Sequence, residues 1–332
     1  MEPILQVSHL SVSLPGKNGP APILKDISFS LKQGEILGLV GESGSGKSMT
    51  AFAVNQLLPG GGKSITGGSV LFAGEELTGK TEKQMQTFRG KDIAMIFQEP
   101  MTCLNPVFTV KRQMTDVIMI HEKRSRKEAE IQAADMLKKV HIRDPERTLS
   151  CYPYELSGGM RQRVMIAIAL SCSPRLLIAD EPTTALDVTV QAQIIFLLQE
   201  ACQESGTGII FISHDLGVVS QLCSRIAVMY AGTMAETGPA SEVLKAPGHP
   251  YTKALLAAVP RFTSGGVRDR LYAISGMVPD PSEIQRGCLF APRCPHAMDI
   301  CRTEHPPIQN LGNQHQVSCF LEKGVSRGDG IS

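Results

Sequence analysis

The run Gly41-Glu42-Ser43-Gly44-Ser45-Gly46-Lys47-Ser48 constrains the fold of this chain more than any other stretch. It fits G-x-x-x-x-G-K-[ST], a phosphate loop that works only when a buried strand delivers it and a helix receives it. Both neighbours are present. Ile36 to Val40 runs apolar without alternation, as a strand covered on both faces does, and Met49 to Leu58 reads as a helix. The glycines at 41, 44 and 46 let backbone amides around Ser43 wrap a β-phosphate, Lys47 reaches the β- and γ-phosphates, and the Ser48 hydroxyl suits Mg²⁺. An α/β core that binds a nucleotide is therefore predicted, with its use left open.

Around that core, Val7 to Leu14 and Ile23 to Leu31 are short apolar runs on either side of a Gly16 to Pro22 turn region, so antiparallel strands are expected. Between about Pro100 and Glu155 the period changes: Ala129, Ala133, Leu137 and Val140 recur at helical steps, which predicts a helical insertion. Leu176 to Ala179 and Ile209 to Ile212 read as buried strands separated by a helix carrying Val190, Ile194, Leu197 and Ala201, so the core sheet should be parallel. After about Ala246, prolines interrupt helix and strand alike. The expected division is a nucleotide-binding domain over 1–245, with a helical subdomain at about 100–170, and a separate, loop-rich extension over 246–332 that lies away from the phosphate loop.

Lys plus Arg number 33 against 32 Asp plus Glu, so no net charge pulls the chain towards nucleic acid or an anionic membrane. Met1 to Leu5 lacks the basic and apolar regions of a secretory signal, and no segment approaches the ~20 consecutive apolar residues of a membrane span. A cytoplasmic chain is expected, with any membrane role passing through a partner.

Four further elements carry chemistry. Leu176-Leu177-Ile178-Ala179-Asp180-Glu181 delivers two carboxylates at the C-terminal end of a strand, where open α/β sheets bind ligands; Asp180 suits the Mg²⁺ shell and Glu181 the attacking water. Leu156-Ser157-Gly158-Gly159-Met160 precedes the helical Arg161 to Leu170, so Ser157 is either an anion-attracting helix start or a plain cap. Gln98 follows the strand Ala94 to Phe97. Ala185-Leu186-Asp187 follows the carboxylates, and His214 follows Ile209 to Ser213.

In this order, over about residues 4 to 240, these elements and the phosphate loop resemble the ATP-binding cassette (ABC) ATPases. The resemblance implies a RecA-like P-loop core with an antiparallel β subdomain and a helical subdomain that bears the signature Leu156 to Met160. It also implies that two cassettes sandwich two ATP molecules, so that Ser157, Gly158 and Gly159 contact the nucleotide of the other subunit. Gln98 would then sense Mg²⁺, shared with Ser48 and Asp180, and the attacking water. His214 would contact the γ-phosphate, and Asp187 would lie beside the nucleotide. Two departures are visible: Met160 stands where the family usually has Gln, and Leu14 stands where an aromatic usually stacks on adenine.

A finer resemblance, carried by Phe97 to Pro106, Glu155 to Ala167, His249-Pro250-Tyr251-Thr252 and a cysteine-bearing tail, is to the ATPase subunits of bacterial dipeptide and oligopeptide importers. It implies a second, often non-identical ATPase, two membrane permeases and an extracytoplasmic solute-binding protein, with this chain peripheral on the cytoplasmic face of the inner membrane. Met101, Leu104 and Phe108 lie where that family docks a permease helix. Related systems carry nickel or other metal chelates, and more distant relatives act on nucleic acid or ribosomes, so those remain the alternative cargoes and roles.

Cys288, Cys294, Cys301 and Cys319 put four of the nine cysteines into one short stretch, spaced C-x₅-C-x₆-C-x₁₇-C. The paired C-x₂-C of a zinc ribbon is missing. Four thiolates suit a [4Fe–4S] cluster, which the importer resemblance favours. Zn²⁺ is the runner-up, with His296, His305 and His315 as spare ligands.

Overall fold

The computed structural model describes residues 2–16, 19–98, 103–184, 187–259, 273–280 and 286–321. Within them β1 (Leu5–Gly16) and β2 (Gly19–Leu31) form the expected hairpin, whose pairing runs into the turn region as far as Gly16 and Gly19. The apolar β3 (Ile36–Val40) feeds the phosphate loop and α1 (Lys47–Val54). β4 (Ile65–Phe72) and β5 (Glu75–Glu76) then complete an antiparallel sheet in the order β2-β1-β4-β5.

After α2 (Glu82–Met85) and β6 (Ile93–Ile96) the chain turns helical, through α3 (Val110–Glu122), α4 (Arg126–Lys139), α5 (Pro145–Ser150) and α6 (Gly158–Leu170). Local chemistry starts these helices: Ser125 and Glu128 close a capping box on α4, and Asp144 caps α5 ahead of Pro145. The stripes Val110, Met114, Ile118 and Ala129, Ala133, Leu137 are fully buried, as their spacing predicts.

β7 (Leu176–Asp180), α7 (Val188–Ser205), β8 (Gly208–Ser213), α8 (Leu216–Leu222) and β9 (Arg225–Tyr230) complete a parallel run β6-β7-β8-β3-β9. The pleat divides its side chains between two cores. Ile36, Val40, Leu177, Ala179, Ile209 and Phe211 join the helical side, whereas Leu37, Leu39, Leu176, Ile178, Ile210 and Ile212 join the side of β1, β2 and α1. Burial on both faces is why these strands read as unbroken apolar runs, each Leu or Ile contributing roughly 1.5–3 kcal/mol.

Beyond β9 two expectations need correcting. β10 (Thr233–Pro239) runs antiparallel to β9, so the sheet is mixed. The tail is also not a separate appendage. After α9 (Ala240–Lys245), α10 (Pro250–Ala258) and α11 (Asp299–Thr303), the hairpin of β11 (Ile308–Gly312) and β12 (His315–Ser318) extends the same sheet by pairing β12 with β10. A buried carboxylate pins it there: Glu236, 1% exposed, accepts the amides of Gly248 (2.7 Å) and His249 (3.0 Å) and pairs with His315 Nε2 at 2.6 Å. Prolines mark the turns of this segment, but a carboxylate with such distant partners leaves no periodic signal.

Candidate active site

β3 leads into Gly41, whose φ of +151° and close quarters admit only glycine: a Cβ there would sit 2.3 Å from the Met229 carbonyl oxygen. Gly46, at φ +102°, is pressed against Leu24 of β2 in the same way. Ser43 and Gly44 form the exposed tip between them. Lys47, 6% exposed, folds back over the loop and donates to the carbonyls of Gly41 (2.8 Å) and Glu42 (2.9 Å). Burial lowers its ammonium from the ordinary range, against the opposing pull of Glu181, Asp180 and Glu42.

The two carboxylates sit at the end of β7, in different settings. Asp180 is 2% exposed; burial pushes its carboxyl up, opposed by the Ser48 hydroxyl bonded to it and by Lys47. Its Oδ1 has no hydrogen-bond partner among the described residues. An orphaned, buried carboxylate oxygen beside a serine hydroxyl is an oxygen donor set that fits Mg²⁺, and Ser48 and Asp180 are its residues.

Glu181 is the hub. Its backbone takes a left-handed φ of 46°, held by its amide donating to Ile212 O at 3.0 Å. One carboxylate oxygen accepts from Gln98 Nε2 (3.0 Å) and Thr184 Oγ1 (2.8 Å), and the other meets His214 Nδ1 at 3.2 Å. Burial alone would raise its pKa, but the bonds from Thr184 and His214 and the charges of His214 and Lys47 outweigh it, and the group stays below its ordinary value. Gln162 of α6, 2% exposed, donates to the Pro182 carbonyl at 2.5 Å and so ties the signature helix to this corner. Thr184 and Gln162 were missed from sequence; Thr184 lies three residues past Glu181, a spacing that could have flagged it.

The structure therefore brings Lys47, Ser48, Asp180, Glu181, Gln98 and His214 into one network. It does not bring Ser157, Gly158 and Gly159 to it. Ser157 caps α6 through Met160 N at 3.3 Å, and with Gly159 it lines a different, open cavity bounded by Asp144, Arg147, Arg163 and Gln193. Asp187 caps α7 through Val190 N at 2.9 Å. Ala185, Leu186 and Met101 lie outside the described residues. Leu14 is half-buried and pairs with Ala21 on the hairpin whose Leu24 touches the phosphate loop. Leu104 is core, while Phe108 is half-buried under the Arg112 guanidinium.

The four tail cysteines line one small cavity together with His249, His296 and Phe290. Their donor chemistry suits a metal, but their grouping does not: among the described residues no three His, Cys, Asp or Glu side chains are arranged to hold an ion. Burial also raises the Cys288 and Cys294 thiols, which favours the protonated form over a metal-binding thiolate. His315, a spare ligand on the sequence reading, is committed to Glu236.

The tail also reaches the phosphate loop, contrary to expectation. Glu42 donates its amide to the Tyr251 hydroxyl at 2.8 Å, and its carboxylate takes both ends of the Arg293 guanidinium at 2.7 and 3.0 Å. Nothing in the local sequence marks Arg293 or Tyr251 as a partner of the loop.

Residues 24–184 match the ABC transporter family model, and residues 235–301 match that of the oligopeptide/dipeptide transporter C-terminal region. The chain is 46% identical over 329 residues to the oligopeptide transport ATP-binding protein AppD of Bacillus subtilis, covering 98% of this chain and 100% of that one. It is 48% identical over 317 residues to the oligopeptide transport ATP-binding protein OppD of Salmonella typhimurium, with 96% and 93% covered. A solved dimeric ATP-binding cassette in a post-hydrolysis state, bound to ADP and Pi, aligns at a TM-score of 0.65 and 26% identity, over 71% of this chain and 98% of that one.

Proposed function

Because the chain belongs to the ATP-binding proteins of ABC transporters, in the branch named for oligopeptide and dipeptide transport, we propose that it is the motor subunit of a binding-protein-dependent importer that couples ATP hydrolysis to uptake of di- and oligopeptides. The observation that carries this reading is the network that joins the phosphate loop to Asp180 and Glu181 and then to Gln98 and His214. No helix among the described residues is long and apolar enough to cross a membrane. The chain works at the cytoplasmic face of the inner membrane through two permeases, fed by a solute-binding protein and paired with a second, non-identical ATPase. Nucleic acid is not a partner. Residues 1–245 are the cassette, 246–332 the importer-type extension, and the segment of Met101, Leu104 and Phe108 the permease dock.

In this mechanism Lys47 leaves its two carbonyls for the β- and γ-phosphates, which the amides of Gly41 to Gly46 cradle. Ser48, Asp180 and Gln98 hold Mg²⁺, whose charge, when bound, offsets that developing on the phosphates. Glu181, fixed through both oxygens, orients the attacking water and accepts its proton, while His214 turns to the γ-phosphate. Ser157, Gly158 and Gly159 close the nucleotide of the partner cassette, with Asp187 at the same seam. Catalysis is positioning and electrostatics.

The test is ATPase activity of the purified complex with its co-purifying permeases and binding protein. Peptide-loaded binding protein should stimulate it. Stimulation by a nickel chelate alone would change the cargo, and stimulation by ribosomes or nucleic acid would end the transport reading.

For the four-cysteine cavity the assignment remains a [4Fe–4S] centre, with Zn²⁺ as the other metal. Its support is that all four thiols line one cavity; its requirement is that they draw together and lose their protons. Protein purified without oxygen should be brown with about four irons per chain. Colourless, metal-free protein whose extension is well protected against hydrogen exchange would dismiss it.

A further inference from the structure

Glu42 is the second residue of the phosphate loop, and residues from beyond the cassette occupy two of its three polar handles. Its amide is bound by the Tyr251 hydroxyl, its carboxylate by Arg293, and its carbonyl by Lys47. The Arg293 side chain is 5% exposed and every nitrogen is engaged: Nε donates to Ser275 O at 2.9 Å, Nη1 also to the Tyr230 hydroxyl at 3.3 Å, and Nη2 also to Ile274 O at 3.4 Å. Beneath it, Tyr230, Tyr251 and Phe290 pack ring against ring at 4.7–5.4 Å and leave it no other place to go. A planar fork on a carboxylate is the strongest common ion-pair geometry, and a partly buried one is little screened.

The chemistry of the ligand gives this contact a consequence. A polyphosphate brings several negative charges to the loop, and the Glu42 carboxylate is already close enough to act on Lys47. Left unpaired, that carboxylate would repel the ligand; paired, its charge is offset by the guanidinium and its position is fixed. We propose that Arg293 is a positioning residue of the nucleotide site, by which the C-terminal extension cancels the charge of Glu42 and sets the phosphate loop for an anionic ligand. This rests on reading the loop as the nucleotide site. Since Arg293 directly precedes Cys294 and the cysteine cavity, a rearrangement there moves the guanidinium and changes nucleotide affinity.

The experiment measures equilibrium binding of a fluorescent ATP analogue to the full chain. Arg293→Ala should weaken binding roughly tenfold, the size of one uncompensated charge about 12 Å from a phosphate charge at an effective dielectric of ~20. Adding Glu42→Gln to that variant should restore most of the affinity, because the repelling charge is gone. A purely structural role would make the double variant as weak as the single one or weaker, and that result, or wild-type affinity in Arg293→Ala, overturns the proposal. If Arg293→Ala does not fold, Arg293→Lys replaces it: a single point charge should lose less affinity, again regained with Glu42→Gln, and no change in either variant overturns the proposal. Coupling is reciprocal, so the analogue should slow hydrogen exchange of residues 286–301 in the wild type and not in Arg293→Ala; equal protection in both counts against it. Failure of the wild-type chain to bind the analogue would instead remove the nucleotide reading, and this proposal with it.

Discussion

Glu181 sits in a left-handed backbone conformation that costs a non-glycine residue roughly 1–2 kcal/mol. The geometry persists because the Ile212 carbonyl and three side chains hold the residue there. Glu181→Gln keeps the shape and removes the base, so turnover of the assembled transporter should fall roughly 10²–10⁴-fold while nucleotide binding persists; lost binding would recast the residue as structural. Because its partners hold its pKa below the ordinary 4.5 despite burial, the carboxylate stays charged through mildly acid pH. Turnover should show no acid limb from this group above pH 4.5, and Thr184→Val, which removes a lowering bond, should shift that limb upwards in a pH–rate profile. The residues named by motif were legible because phosphate chemistry dictates type and spacing together. Thr184, Gln162 and Arg293 were not, since each acts through contacts that any threonine, glutamine or arginine can make and that no fixed spacing announces.

At the scale of elements, α10 is capped by His249, whose Nδ1 accepts the Tyr251 amide at 3.0 Å and which is 4% exposed. Burial, with Lys253 adding to it, lowers its pKa from 6.5 to about 4. The unfolded segment therefore binds more protons than the folded one between these values, so stability is lost as pH falls through that window, by at most ~1.4 kcal/mol per unit. Hydrogen-exchange protection factors in α10 and β12 should fall from pH 6.5 downwards. His249→Asn, a cap that does not titrate, should remove that pH dependence; an unchanged profile would assign it to another group. Here too the sequence was informative in parts: β3, β7 and β8 announced themselves because two-sided burial demands continuous apolar residues. β10, β11 and β12 did not, because Glu236 sits where a core-facing apolar residue would be and proline runs conceal a short hairpin.

For the whole molecule, the signature lies apart from the chain's own phosphate loop, lining another cavity. If a second cassette completes the site, Ser157→Arg should cost the isolated chain no more than a helix cap, about 1 kcal/mol, with nucleotide affinity nearly intact, while turnover of the assembled transporter collapses. Equal loss in both would make Ser157 a local residue. The antiparallel sheet, parallel core and helical insertion were readable because each has its own period, whereas how the tail meets the core depends on pairs no window of sequence contains. Those pairs also bear on how the chain is made. Glu42 emerges from the ribosome well before the residues that complete its surroundings, 209 and 251 positions downstream. At 5–20 residues per second that is a delay on the order of 10–50 s, during which a nascent chain carries every residue of its phosphate loop but not the loop's finished shape; a product truncated within that interval never acquires it.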